Sequence, residues 1–305
     1  MKRVVSVSLG SSSRDHKAVV ELLGQQITIE RIGTDGDEVK ARQLYRELDG
    51  QVDAFGVGGI DLILRVRDRR YRLHQAYKLV QDVRRTPVVD GGGLKNTLER
   101  RVMKSVEAEI GDQIQPKRVL ITSAADRFGM ALSFDEAGYE AIYGDLMFGL
   151  GLPIPVRGIA NLERVARVLL PVIGWLPLSL IYPTGQKQRE IVPKYGQYYD
   201  WASVVAGDFL YIKRHLPQSL AGKTVVTNTT TPQDVDLLRG RGVRYLATTT
   251  PRLQGRSFGT NVMEATLVAL AGKGRPLEEP EIEEMLAHLG FQTSVQRLNE
   301  ATTAA

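Results

Sequence analysis

The stretch Arg118-Val119-Leu120-Ile121-Thr122-Ser123-Ala124-Ala125-Asp126-Arg127-Phe128-Gly129-Met130, continued by Tyr139-Glu140-Ala141-Ile142-Tyr143-Gly144-Asp145, decides how this chain is read. Its first apolar run suits a strand buried on both faces, and Arg127 to Ala137 suits a helix stopped by Gly138. Tyr139 to Tyr143 then gives a second strand. Strand, helix and strand in close succession form a β-α-β unit, whose strands pair in parallel beneath covering helices.

Outward from this segment the same alternation recurs. Toward the start, Val4 to Leu9 reads as a strand, Asp15 to Leu23 as a helix, and Ile27 to Ile32 as a strand. Asp37 can cap a helix whose Val39, Leu44, Tyr45 and Leu48 share a face. Val52 to Val57 and Thr86 to Val89 are further strands, with a helix near Tyr71 to Val80. A long helix from about Leu94 to Ile110 bridges to the second series. Downstream, Ala202 to Ala206, Lys223 to Thr227 and Arg244 to Thr248 are strands, with helices at Asp234 to Arg239 and Thr260 to Ala271. Prolines at 153, 155, 171, 177, 183 and 193 break both periods between Gly149 and Tyr199, which predicts long loops and short helices there. The fold class is therefore α/β, with two Rossmann-like three-layer units of mainly parallel sheets joined by a long helix. The expected boundaries are 1–112 for a substrate-side domain, 113–275 for a Rossmann-like nucleotide-binding domain, and 276–305 for a C-terminal helix, Glu279 to Leu289, and a frayed tail.

Composition narrows the chemistry. With 305 residues, 43% hydrophobic and 25% charged, the chain can bury an ordinary core. It has no cysteine, which excludes disulfides, thiolate metal sites and a cysteine nucleophile. The four histidines lack ligand spacing, so no metal site is expected. No G-x-x-x-x-G-K-S/T loop or G-x-S-x-G turn occurs. The apolar start is too short for a signal peptide, and the apolar segment Val165 to Tyr182 is interrupted by Arg167, Pro171, Gly174 and Pro177. These features read as a cytoplasmic protein without a membrane span or membrane partner. The net charge of +5 favours an anionic small molecule, while the run Arg65 to Arg72 reads as a solvated strand and turn and not as a nucleic-acid site.

Ligands of open α/β sheets lie beyond the carboxyl ends of the strands, which directs attention to four turns. In Ser123 to Met130, amides at a helix start can hold pyrophosphate, helped by Arg127 and Gly129, with Asp145 placed to bind ribose. In Asp90-Gly91-Gly92-Gly93-Leu94-Lys95-Asn96-Thr97, Gly92 and Gly93 allow close approach of a substrate, and Lys95 with Asn96 is the candidate catalytic pair. The threonine-rich turns Thr227-Asn228-Thr229-Thr230 and Thr248-Thr249-Thr250 offer Asn228, Thr229 and Thr249 to a cofactor. Gly255-Arg256-Ser257-Phe258-Gly259-Thr260-Asn261 offers Arg256 and Asn261 to substrate, with Glu264 one turn further on.

This domain order resembles the shikimate and quinate dehydrogenase superfamily, and Val225-Val226-Thr227-Asn228-Thr229-Thr230 resembles its strand-ending segment beside the nicotinamide. The turns at 90–97 and 255–264 are similar to those of bacterial proteins labelled quinate 5-dehydrogenase. The resemblance implies an oxidoreductase that uses NAD or NADP on a quinate- or shikimate-like hydroxy acid, with the possibility of a homo-oligomer. Read from the residues alone, two other functions stay open: a non-catalytic protein holding an anionic metabolite or nucleotide, and a lyase or transferase using the same cleft.

Overall fold

The computed structural model describes residues 1–182, 190–253 and 256–300, with the backbone alone at 252, 253, 256 and 257. Two compact units result, both discontinuous in sequence. Unit 1 holds 1–97, 166–189 and 259–290; unit 2 holds 98–165, 190–258 and 291–305.

Unit 1 is built on strands β1 (Lys2–Ser8), β2 (His16–Leu22), β3 (Gln25–Gly33), β4 (Ala54–Gly58) and β7 (Val88–Val89), in the order β2-β3-β1-β4-β7. Strands β5 (Ile63–Val66) and β6 (Arg69–Arg72) form a separate antiparallel ribbon. β1, β3, β4 and β7 run parallel, so their carboxyl ends share one edge. Side chains alternate across the pleat, and the two faces are covered separately. Tyr45, on the helix Glu38–Leu48, meets Phe55 edge-on, whereas Asn261, on the helix Thr260–Ala271, donates to the Ser6 hydroxyl at 2.7 Å. Gly56 sits in mid-strand because a Cβ there would lie 2.8 Å from the Asn261 carbonyl oxygen. Asp37 caps the helix Glu38–Leu48 by accepting from the Lys40 amide, as expected, but Val39 is 77% exposed and lies off the buried face.

The sequence reading of Asp15 to Leu23 as a helix is corrected: this is β2, antiparallel to β3. Leu23 and Gly24 both have positive φ, at 50° and 71°, between the paired Leu22 and Gln25. That two-residue turn matches the twist of a hairpin, and the β-branched pair Val19-Val20 fits it.

Unit 2 carries β8 (Arg118–Ile121), β9 (Glu140–Tyr143), β10 (Val156–Arg157), β11 (Val204–Gly207), β12 (Thr224–Thr227), β13 (Tyr245–Thr248) and β16 (Ser294–Arg297), in the order β10-β9-β8-β11-β12-β13-β16. The central five strands are parallel, and the two edges are antiparallel. The short hairpin of β14 (Arg252–Leu253) and β15 (Arg256–Ser257) follows β13 in sequence. Leu120, Ile142, Val205, Phe209, Val225, Leu238 and Leu246 belong to its buried core. The tail expected to fray instead supplies β16, because it hydrogen-bonds to the open edge of β13.

Both units are α/β with mainly parallel sheets. Thr260–Ala271, expected in the second domain, packs on β1 and β4 of unit 1. The bridging stretch is helical in three pieces, Gly92–Asn96, Glu99–Arg101 and Val102–Ile110. Its first break coincides with side chains that compete for the helix carbonyls: Thr97 Oγ1 donates to the Gly93 oxygen and Asn96 Nδ2 to the Gly92 oxygen, both at 2.8 Å. Between 149 and 199 the helix Ile159–Ile173 is longer than expected and contains Pro171 in its last turn.

Candidate functional site

In unit 1, β3 lies on one side of β1 and β4 on the other, the arrangement whose carboxyl edge commonly receives ligands. Beyond the end of β4 the chain turns through Gly59 and Ile60 to Asp61, and β7 is followed directly by Asp90. Asp61 is 4% exposed, Lys95 7% and Glu264 5%, a degree of burial that such groups reach only in company. Lys95 Nζ donates to Asp61 Oδ1 in an ion pair. The Tyr182 hydroxyl donates to Asp61 Oδ2 at 2.9 Å. Asp90 accepts from the Leu62 and Ile63 amides with one oxygen and from the Gly92 amide with the other, at 2.7 to 3.1 Å. Glu264 accepts from the Gly93 amide at 3.1 Å.

The triple glycine has a steric cause. Gly91 adopts φ 96°, and a Cβ on Gly93 would lie 2.4 Å from Ile282 Cδ1 and 2.7 Å from Glu264 Oε1. The chain can therefore run against the acid only without side chains. Burial pushes the Glu264 carboxyl up to about 8; Asp90 adds to the rise, while the Gly93 and Gly91 amides and Lys95 oppose it. Burial also raises Asp90, reinforced by Asp61 and opposed by Lys95 and neighbouring amides. Glu264 is consequently protonated at neutral pH and can donate as well as accept. A carboxylic acid with this pKa beside a lysine–aspartate pair has the makings of an acid–base centre or a polar ligand cradle.

Of the residues assigned to catalysis and substrate, Lys95, Gly92 and Gly93 come together here. Asn96 does not, because its amide is spent on the Gly92 carbonyl, and Asn261 points its own amide to Ser6. Gly255 and the Arg256 side chain lie outside the described residues. Sequence reasoning passed over Asp61, Asp90 and Tyr182. An acid directly after a strand was the available signal for Asp90, and one in the turn that follows a strand was the signal for Asp61; none existed for Tyr182, which is remote in sequence.

In unit 2 the residues assigned to a dinucleotide are turned to internal use. Asp145 accepts from the Ala124 and Ala125 amides at 3.0 and 2.8 Å, occupying donors that pyrophosphate needs. Arg127 is 2% exposed; it pairs with Glu99 and, at 2.7 Å, with Asp208. Burial works against its charge, but Glu99, Asp208 and Asp126 outweigh that and raise its pKa. Asn228 donates to Asp208 at 2.9 Å, and Gly129 is buried inside the helix Phe128–Glu136. Thr249 is fully buried, Thr229 is partly exposed, and Ser123 Oγ has no hydrogen-bond partner among the described residues. The groups expected to hold NAD or NADP therefore do not fit it: the anchoring amides are capped by a carboxylate, and the arginine is neutralised by two acids. Among the described residues, no group of three or more His, Asp or Glu is placed to hold a metal ion.

Two family models cover most of the chain. One, a domain of unknown function (DUF8753), matches residues 3–90, and another, a domain of unknown function (DUF8754), matches residues 93–298. The chain belongs to the DUF8754 family. No curated protein matches it. Similar solved structures include a Mycobacterium smegmatis protein in complex with β-D-fucofuranose, at 10% identity over 97% of this chain and 99% of that one, with a TM-score of 0.36. The glucose-galactose binding protein GanP of Geobacillus stearothermophilus is 10% identical over 97% of both chains, with a TM-score of 0.38. An NAD-dependent malic enzyme of Thermotoga maritima is 11% identical over 94% of this chain and 76% of that one, with a TM-score of 0.39. The resemblance to shikimate and quinate dehydrogenases is thereby corrected: the families whose models match the chain are DUF8753 and DUF8754. The short Asn228 segment and the glycine turn that suggested it are strand-end features that unrelated α/β sheets share.

Proposed function

We propose that this chain binds a small, uncharged, hydroxyl-bearing metabolite at the carboxyl ends of β4 and β7, contacting Asp61, Asp90, Lys95 and Glu264. The observation that supports the reading is the balance of charge in unit 1: the carboxyl groups of Asp61 and Asp90, with the protonated Glu264, stand around the one ammonium of Lys95. Carboxylates accept from hydroxyls and repel anions, so the anionic ligand expected from the net charge of the whole chain is disfavoured at this place. Asp90, Gly92, Gly93 and Tyr182 are partly exposed, which gives the cluster a solvent-facing side.

Thermal unfolding with neutral monosaccharides and polyols, and with their carboxylated, phosphorylated and amino counterparts, tests the reading. A neutral ligand at 100 times its dissociation constant adds about 2.7 kcal/mol of stability. The gain is expected to vanish in Asp61→Asn and Lys95→Met. Stabilisation by the acids or phosphates alone overturns it.

A second reading, proton transfer, is favoured by the high pKa of Glu264 beside Lys95. In it, the ionised form of Glu264 takes a proton from a carbon of the ligand, exchanges it with solvent and returns it, while Lys95, held by Asp61, positions the ligand. Its signature is deuterium entering a carbon position of the bound compound in heavy water, abolished by Glu264→Gln.

A further inference from the structure

From Val168 to Tyr182 the chain holds no charged residue. Much of this segment faces outward: Val168 is 69% exposed, Val172 64%, Trp175 63% and Leu180 65%. Val168 and Val172 are one helical turn apart on Ile159–Ile173. The Trp175 amide donates to the Val172 carbonyl at 3.1 Å, which continues the apolar stripe beyond the helix. Grouped apolar exposure of this kind marks a surface that meets something other than water.

The stripe abuts the basic ribbon of unit 1. Trp175 stacks on His74 with ring centroids 3.7 Å apart, the His74 amide donates to the Gly174 carbonyl at 2.8 Å, and a Cβ on Gly174 would lie 2.5 Å from the Arg72 carbonyl oxygen. Arg67, Arg69, Arg70 and Arg72 are exposed on this ribbon, with Asp68 as its one acid. Arg72 lies over the Tyr77 ring at 3.6 Å. Arg167 adds another exposed cation beside Val168.

We infer that this face of unit 1 docks on an anionic lipid bilayer, with Val168, Val172, Trp175 and Leu180 entering the headgroup boundary and the arginine ribbon meeting lipid phosphates. Aliphatic side chains and a tryptophan suit that boundary, and basic residues beside them attract anionic lipid. A second copy of the chain fits less well, because a two-fold contact brings a rim of arginines against an identical rim. Single-stranded nucleic acid wants stacking platforms, whereas this stripe is aliphatic apart from Trp175, one of whose faces His74 already covers. Among the described residues no helix is long and apolar enough to cross a membrane, so the association is peripheral.

Sedimentation of the full chain with phosphatidylcholine vesicles, with and without phosphatidylglycerol, tests the inference. The chain is expected to pellet with the phosphatidylglycerol vesicles and to release as salt rises. Replacing Val168, Val172 and Trp175 together by Ser is expected to weaken binding at least about tenfold, and each of Arg69, Arg70 and Arg72 changed to Gln about fivefold. A reading independent of those variants is Trp175 emission in a Trp201→Phe chain, which is expected to shift to the blue on adding the anionic vesicles. Three results overturn the inference: no pelleting with either vesicle, a stable dimer that the triple Ser variant dissolves, or binding of a single-stranded oligonucleotide with none to vesicles.

Discussion

Glu264 shows at the level of one residue how burial becomes a measurable property. Its carboxyl faces Gly93, with Asp90 and Lys95 near enough to shift its titration, and its pKa rises from 4.5 to about 8. A carboxyl whose pKa is higher folded than unfolded binds more protons in the folded state. Its contribution is therefore present below the unfolded value and is lost as pH rises through the folded one. Between pH 4.5 and about 8, wild-type stability is expected to fall relative to Glu264→Gln by roughly 4 kcal/mol, in denaturant unfolding at each pH. Arg127 makes the opposite case, a buried charge fixed by its partners. Arg127→Met strands Glu99, whose exposure is zero, and is expected to cost about 3–5 kcal/mol, with part of that recovered by adding Glu99→Gln. Equal stability of the single and double variants would show that Glu99 gains nothing from the pair. Neither partnership was legible in the sequence: Glu99 lies within the stretch from about Leu94 to Ile110 that reads as one long bridging helix, and Arg127 read as a phosphate ligand.

At the level of elements, regular structure was legible where the chain itself enforces a period. The helices Thr260–Ala271 and Glu279–Leu289 have the bounds that their spacing and following glycines predict, and the parallel strands lie within a few residues of their apolar runs. Asp15 to Leu23 misled because Ala18, Val19, Val20 and Leu22 satisfy a helical spacing as well as a strand, and the hairpin turn has leucine where Asn or Gly is usual. Leu23 is 48% exposed at φ 50°, so Leu23→Asn forfeits little burial and relieves left-handed strain. It is expected to raise stability by about 0.5–1 kcal/mol, seen as a higher melting temperature. Gly93→Ala works the other way. Its Cβ meets Ile282 and Glu264 at under 3 Å and is expected to cost about 1–3 kcal/mol.

For the molecule as a whole, the decisive fact is that unit 1 is assembled from three stretches of chain. A fragment ending at Thr97 contains all of β1–β7 but lacks Thr260–Ala271, the helix that covers β1 and β4. With that face bare, it is expected to bind a hydrophobic dye and to lose cooperative unfolding; a sharp two-state transition in the fragment would contradict the assignment. By itself the sequence determined the α/β class and the exclusion of cysteine chemistry, because periodicity and composition are properties of the chain itself. Only the tertiary structure decided that Asp61, Asp90, Lys95, Tyr182 and Glu264 meet, and that Asp145 accepts from the Ala124 and Ala125 amides while Arg127 pairs with Glu99 and Asp208. Those are contacts between residues tens to hundreds of positions apart, and their burial, which sets their charge state, exists only once the chain has closed on itself.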